Sequence, residues 1–226
     1  MTKVWFIRHA ESEANAGLPT LDSSKVVLTA QGHKQAKTIA LSFPDPPSLI
    51  VTSSYTRTKQ TASPTQQRFR DVPYTEWPVH EFTYLSSSHQ FSTKQERRPL
   101  VKIFWERNDP YYIDGNGAES FYDFLMRVNT VFEYLNRFDE NDFIAVFSHG
   151  QFIRAVLWTL KYHSLPTNMK LFQHFLSTFP LQNGDILEIP FWEQNRQYVV
   201  KRLPSRPSLL KSAHNFLDAT GHLVLA

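Results

Sequence analysis

The feature that most constrains the fold is an abrupt change near the N-terminus. Val4-Trp5-Phe6-Ile7 is a short continuous apolar run, and Arg8-His9 follows it directly. A run of this length, bounded by polar residues, reads as a buried β-strand. A strand that stops at Arg-His delivers a cation and an imidazole to one edge of a sheet. In open α/β sheets, the edge at the carboxyl ends of the strands is where ligands bind. The same switch recurs twice. Leu49-Ile50-Val51-Thr52 ends shortly before Arg57, and Phe143-Ile144-Ala145-Val146-Phe147 ends in Ser148-His149. If the three strands are parallel, Arg8, His9, Arg57 and His149 converge.

The stretches between these strands read as helices. Thr29 is a good N-cap, Ala36, Ile39 and Ala40 give a helical apolar stripe, and Phe43-Pro44-Asp45-Pro46-Pro47 ends it. A second helix begins near Tyr55, carries Arg57 in its first turn and is expected to break or restart at Pro64. A short extended piece is expected over Trp77–Phe82. Residues 83–117 read as an inserted lid, with a helix over 94–107 and a closing turn at Gly115-Asn116-Gly117. Phe121, Phe124, Leu125, Val128, Val131, Phe132 and Leu135 share one face of a strong amphipathic helix, and Glu119 near its start suits the exposed N–H groups there. Ile153, Val156, Leu157 and Leu160 mark another helix after His149. Asn183-Gly184 is a turn into a strand at Ile186–Ile189. Residues 197–203 pair with that strand as an edge, which Pro190 limits in length. A short helix over 209–217 is expected in the tail. The alternation predicts a three-layer α/β/α sandwich with a mostly parallel central sheet, residues 1–226 forming one domain with the lid inserted at about 83–117.

Composition narrows the chemistry. There is no cysteine, which excludes disulfides, thiolate metal sites and a cysteine nucleophile. The net charge of +3 comes without a basic block of the kind that reads as a nucleic-acid arm. No apolar stretch approaches the roughly 20 residues of a membrane span, and the N-terminus lacks the apolar region of a signal peptide. A soluble, cytoplasmic protein is expected, with a small phosphorylated molecule as partner and neither nucleic acid nor membrane. The remaining histidines, at 33, 80, 89, 163, 174, 214 and 222, show no metal-ligand spacing, and no metal or cofactor is called for.

Two arginines and two histidines suit phosphoryl transfer. Neutral imidazole attacks phosphorus, and guanidinium forks match phosphate oxygens and hold their charge. Covalent capture divides the reaction into two easier steps. His9 is therefore the candidate nucleophile, within a pocket of Arg8, Arg57 and His149. His149, at a helix N-terminus, would share a phosphate oxygen with helix N–H groups. Glu81 is the candidate general acid, which requires it to hold a proton at neutral pH through burial under the lid. From the lid, Tyr84 and His89 could line the pocket. Arg97, Arg98 and Lys102 could touch an anionic substrate, although their simplest reading is a solvated helix face.

Ordered blocks carry a resemblance. Arg8-His9-Ala10-Glu11-Ser12-x-x-Asn15 resembles the signature of the histidine phosphatase (phosphoglycerate mutase-like) superfamily. Leu28-Thr29-x-x-Gly32-x-x-Gln35-Ala36, Ser53-Ser54-x-x-Arg57-Thr58-x-Gln60-Thr61-Ala62 and Ser148-His149-Gly150 are similar to its later blocks. The resemblance implies a phosphohistidine enzyme with His9 as nucleophile. It further implies a phosphate pocket of Arg8, Arg57 and His149, a further phosphate contact at Asn15, and Glu81 as proton donor. Ala10 stands where the family usually has glycine, and its extra methyl is expected to be tolerated. Gly150 after His149 resembles the mutase-like branch. The Trp- and Asn-rich loop of cofactor-dependent phosphoglycerate mutases is replaced by Ala16-Gly17-Leu18-Pro19-Thr20, which favours a phosphatase. A metal-independent phosphomonoesterase is thus the leading expectation. A phosphomutase and a non-catalytic phospho-ligand-binding module are the alternatives.

Overall fold

A computed structural model describes residues 2–89, 92–162, 167–191, 198–203 and 222–225. Its strands are β1 (Thr2–Arg8), β2 (Leu49–Thr52), β3 (Tyr74–Glu76), β4 (Phe143–Ser148), β5 (Ile186–Phe191), β6 (Tyr198–Leu203) and β7 (His222–Leu225). Its helices are α1 (Ala30–Ser42), α2 (Thr56–Arg68), α3 (Arg98–Arg107), α4 (Phe121–Leu135), α5 (Gly150–Tyr162) and α6 (Met169–Thr178), with a short 3₁₀ turn at Ser87–His89. The strands form one sheet in the order β3-β2-β4-β1-β5-β6-β7. β1 to β4 are mutually parallel, and the antiparallel steps from β1 to β5 and from β5 to β6 turn β6 back into their direction. The expected mostly parallel α/β sheet is what the chain forms.

The apolar runs bury both faces of the sheet, as strands covered by helices on each side must. Val4, Phe6, Val51, Ile144 and Val146 pack into the cluster shared with α3, α4, α5 and α6. Trp5, Ile7, Ile50, Ala145 and Phe147 face the opposite way, toward Ile39 and Phe43 at the end of α1 and Ala62 of α2. All six residues of β4 are buried. A fully buried side chain of this size contributes about 1.5–3 kcal/mol, so β4 alone anchors much of the sheet.

Register decides where the chemistry goes. Arg8 lies opposite Ser148 and Phe147 opposite Thr52, so β1, β4 and β2 end level at one edge. The His9 N–H donates to the Ser148 carbonyl at 2.9 Å and extends the ladder by one rung.

Three local expectations change. α2 runs through Pro64 to Arg68, because Thr58, Thr61, Ala62 and Thr65 bury one face of it, and that packing outweighs the roughly 3 kcal/mol a mid-helix proline costs. The extended piece placed at Trp77–Phe82 is a strand only upstream, at Tyr74–Glu76, where it pairs with β2; Pro78, which lacks an N–H, lies in the irregular segment that follows. The helix read at 94–107 starts at Arg98, with Pro99 in its first turn, while Thr93 and Glu96 close a separate turn before it. The edge with β6 pairs only from Ile186 to Glu188, short of Pro190 as expected, while β5 stays paired with β1 as far as Phe191. The tail helix read at 209–217 lies outside the described residues, and α6 and β7 were not anticipated. Among the described residues, no helix is long and apolar enough to cross a membrane.

The segment 83–117 is fastened to the apolar cluster and to the loop that follows His9. Tyr84, Val101, Phe104, Trp105 and Tyr112 pack into the large apolar cluster. Thr20 and Ser92 form a β-bridge to the loop that follows His9, and Arg97 donates to the Thr20 hydroxyl at 3.4 Å and the Ser92 carbonyl at 2.5 Å. Arg98 is exposed, and Lys102 pairs with Glu106 on the solvated face.

The second sequence block serves the first. Glu11 N–H donates to Gln35 Oε1 at 2.8 Å, Thr29 N–H to the Glu11 carbonyl at 3.0 Å, and the Thr29 hydroxyl to Glu11 Oε1 at 2.7 Å. Gly32 lets α1 come this close, since a β-carbon there would stand 2.0 Å from the Glu11 carbonyl oxygen. Gly32→Ala must push α1 away from the loop that follows His9. It is expected to destabilise the fold by about 3 kcal/mol, at the upper end for overpacking, as read from the midpoint of urea unfolding.

Candidate active site

The site is assembled from three strand ends and one loop. His9 and His149 are buried, with ring centroids 5.1 Å apart. Arg57, in the first turn of α2, lies between them. Its Nε donates to His9 Nε2 at 3.1 Å, its Nη2 to His149 Nδ1 at 2.9 Å and its Nη1 to the Ser23 carbonyl at 2.6 Å. Burial lowers the Arg57 pKa to about 10, against the raising effect of Glu81 and Tyr55, so the guanidinium is charged at neutral pH.

That charge fixes the tautomers. A guanidinium only donates, so each imidazole nitrogen facing it must accept. The His9 proton is then on Nδ1, which donates to the Ala10 carbonyl at 2.7 Å, and Nε2 keeps its lone pair. The His149 proton is on Nε2, which donates to Ser53 Oγ at 2.8 Å. The Ser53 hydroxyl in turn donates to Thr58 Oγ1 at 2.8 Å, and Thr58 donates to the Tyr55 carbonyl at 2.7 Å. Both histidines are held neutral: burial lowers each pKa well below 6.5, and the Arg57 charge lowers it further.

Arg8 completes the cationic wall. Its Nη1 donates to the Leu181 carbonyl, while its Nε is buried with no hydrogen-bond partner among the described residues. Gly150 leaves room for it, because a β-carbon there would stand 3.2 Å from Arg8 Nε and 3.3 Å from Arg154 Nη2. Arg154 is a cation that the sequence reading missed. It donates to the Gly150 and Leu176 carbonyls at 2.8 Å each.

Glu81 is brought to this group. Its Oε1 accepts the N–H groups of Gln151 at 2.9 Å and Phe152 at 3.3 Å, in the first turn after His149, and that of Phe82 at 3.3 Å. Burial lowers the pKa values of Arg8, Arg57 and Arg154, and nearby Glu81 offsets part of that lowering. Two N–H groups of α5 that were expected to face a phosphate are therefore occupied by Glu81. Glu81 itself is half-buried against the start of α5.

Asn15 is exposed. Its Oδ1 accepts the Ser12 hydroxyl at 3.0 Å and Asn183 Nδ2 at 2.9 Å, which leaves its amide nitrogen for a ligand. Asn183 also donates to the His9 carbonyl at 3.0 Å, a bracing role hidden in what reads as a plain turn. Ala10 packs with Leu28 and Ala36, so the methyl that replaces glycine finds an apolar home. Glu119 does not cap α4. Ser120 and Asp123 form that capping box, and Glu119 pairs with Arg127 at 2.6 Å. Tyr84 packs among aromatics, its ring 4.9 Å from Phe104. Among the described residues, no group of three or more His, Asp or Glu is arranged to hold a metal ion.

The mostly parallel sheet thus presents two neutral imidazoles, two arginines and a carboxylate at one edge. The sequence model of the histidine phosphatase superfamily (branch 1) matches residues 4–200, and the chain belongs to that superfamily. Compared by sequence with curated proteins, the chain matches none. Among solved structures, it resembles the alpha-ribazole phosphatase of Shigella flexneri, with a TM-score of 0.70 and 19% identity over 93% of this chain and 100% of that one. It also resembles a phosphoserine phosphatase mutant of Entamoeba histolytica in complex with phosphoserine, with a TM-score of 0.69 and 22% identity over 91% and 98% of the two chains. A mycobacterial glucosyl-3-phosphoglycerate phosphatase gives a TM-score of 0.63 and 21% identity over 83% and 89%.

Proposed function

We propose that the chain is a metal-independent phosphomonoesterase that works through a phosphohistidine on His9. The observation that carries this reading is the hydrogen bond from Arg57 Nε to His9 Nε2, which assigns that nitrogen a lone pair. A substrate phosphate takes over the Arg57 N–H groups and the unpartnered Nε of Arg8, which frees Nε2 for attack on phosphorus. The N–P bond forms as the P–O bond to the leaving group breaks. The Ala10 carbonyl, accepting from Nδ1, steadies the positive charge that develops on the ring. Glu81 supplies the proton that the departing oxygen takes up. In the second step Glu81 takes a proton from water, the water attacks phosphorus and the N–P bond breaks. Inorganic phosphate leaves, and His9 and Glu81 return to their starting forms. Arg8 and Arg57 hold the equatorial oxygens throughout, and His149 braces Arg57 through its Nδ1. This is the positioning and charge stabilisation that phosphoryl transfer needs.

The substrate is a small phosphorylated metabolite in this reading. Support comes from the structural relatives named above, which are phosphatases of small phosphoesters, and from residues 83–117, which we read as the lid that selects the leaving group within a single domain. The cysteine-free sequence suits a cytoplasmic enzyme.

The test is acid-labile labelling from a radioactive phosphodonor, followed by a chase. Label should appear on the protein and pass to water faster than to added alcohols or to a second phosphorylated metabolite. Preferential transfer to a second metabolite would establish a mutase instead. Binding with neither label nor turnover, across a panel of phosphorylated metabolites, would establish a binding module.

A further inference from the structure

We propose that Arg127 and Glu119 form a positioning clamp for Glu81, so that proton delivery to the leaving group depends on an ion pair that never touches substrate. The inference rests on the reading of Glu81 as general acid.

Glu81 sits on a stretch, residues 77–86, that belongs to no helix or strand. A proton donor on irregular chain needs to be held, because displacement by about 1 Å can cost about a hundredfold in rate. Part of the holding comes from α5, through the N–H groups of Gln151 and Phe152. The rest comes from α4. Arg127 Nη1 donates to the Pro78 and His80 carbonyls at 2.8 Å each, and its Nη2 reaches the Glu81 carbonyl at 3.4 Å. The same guanidinium forks onto Glu119, Nη2 to Oε1 at 2.6 Å and Nε to Oε2 at 3.1 Å. Glu119 in turn accepts the Thr83 N–H at 3.0 Å and the Thr83 hydroxyl at 3.1 Å. The ion pair therefore grips the chain at residues 78, 80 and 81 on one side of the carboxylate and at 83 on the other.

The pair is built for this task rather than for surface charge. The two side chains are 11% and 16% exposed, and their polar atoms are satisfied by one another and by the Glu81 segment. Arg127 lies on the rigid amphipathic helix α4, with its guanidinium carbon 5.2 Å from the Phe124 ring centroid and 5.3 Å from that of Phe152. Phe82, next to Glu81, stacks on Phe124 at 4.4 Å, which fixes the chain on the apolar side as the ion pair does on the polar side. A lysine at 127 keeps the charge but cannot serve three carbonyls and both carboxylate oxygens with one ammonium.

The experiment uses aryl phosphates whose leaving phenols span a range of acidity, from 4-nitrophenyl to phenyl phosphate, on the full chain. An acid matters little when the leaving group is already stable and much when it is not. Arg127→Lys, Arg127→Met and Glu119→Gln should lower kcat/KM about tenfold or more for phenyl phosphate, but less than about twofold for 4-nitrophenyl phosphate. Glu81→Gln should show the same selective loss in larger measure. Added to Glu81→Gln, Arg127→Lys should cost nothing further, since the group it positions is gone. A uniform fall across all leaving groups, with Glu81→Gln still selective, would overturn the clamp and leave Arg127 a purely structural residue. A Glu81→Gln variant without selectivity would overturn the general-acid reading itself, and the clamp with it. Should Arg127→Met fail to fold, Arg127→Lys and Glu119→Gln carry the comparison.

Discussion

His9→Ala is expected to lower kcat/KM by about 10⁴- to 10⁶-fold, the range seen when a covalent nucleophile is removed from an otherwise intact site. Acid-labile labelling of the protein should vanish with it. The loss is this large because His149 cannot replace His9. Its Nδ1 faces Arg57, but its Nε2 carries the proton given to Ser53, which lies on the network through Thr58 to the Tyr55 carbonyl. Turning His149 into a nucleophile would break that buried chain. Phosphate affinity should survive, since Arg8, Arg57 and His149 remain, and Arg57 Nε gains a vacant donor when the imidazole is gone. The measurement is therefore paired, with turnover and labelling on one side and equilibrium binding of inorganic phosphate or vanadate on the other. Turnover within tenfold of the parent enzyme would exclude His9 as nucleophile. Loss of binding together with turnover would mean that His9 holds the pocket's shape rather than its chemistry.

What could be read in the sequence, and what could not, divides along the range of the interactions. The strand ends at Arg8-His9 and Ser148-His149 are local signals, a change from apolar to polar within two residues, and register then sets them level. Thr29 and the stripes of α1, α4 and α5 are local too. The second and third sequence blocks were visible as patterns, but their purpose was not. Gln35, Thr29 and Gly32 act on Glu11, and Gln60 Oε1 accepts the Leu28 N–H at 2.8 Å. These are contacts across 18 to 32 positions, which no periodicity encodes. The pairing of Arg127 with Glu119 lies within eight positions, yet Glu119 beside an apolar run looks like a helix-start residue, and only the neighbouring Ser120-Asp123 capping box makes that role redundant. Asn183 and Arg154 were missed for the same reason. One sits in a turn and the other on a helix, and their targets, the His9 carbonyl and the Leu176 carbonyl, lie elsewhere in the chain. Pro64 misled in the other direction, because a local rule for helices gave way to tertiary burial of α2.

Arg57→Lys is expected to reduce kcat/KM by about 10²- to 10³-fold, a loss of the size found on removing one preorganised donor from a site of developing charge. The substitution keeps the formal charge, so any loss measures geometry. Arg57 uses three nitrogens in three directions, toward His9, His149 and the Ser23 carbonyl. Its side chain also lies over Tyr55, with the guanidinium carbon 4.8 Å from the ring centroid. A single ammonium on a flexible stem can satisfy one or two of these partners, and it is strongly hydrated where the arginine is buried. Two consequences separate this variant from a general weakening. The His149 ring loses a donor that fixes its tautomer, so its proton is no longer confined to the Ser53 side. The His9 ring loses the donor that marks where the phosphate must come. The loss should fall mainly on kcat, because the fork is matched to the oxygens of the phosphoryl group in flight more closely than to the bound ester. Steady-state kinetics with 4-nitrophenyl phosphate isolates the effect, since that substrate makes little demand on Glu81. If kcat/KM stays within threefold of the parent, charge alone suffices at this position, and the bridging geometry seen between His9 and His149 has no part in the reaction.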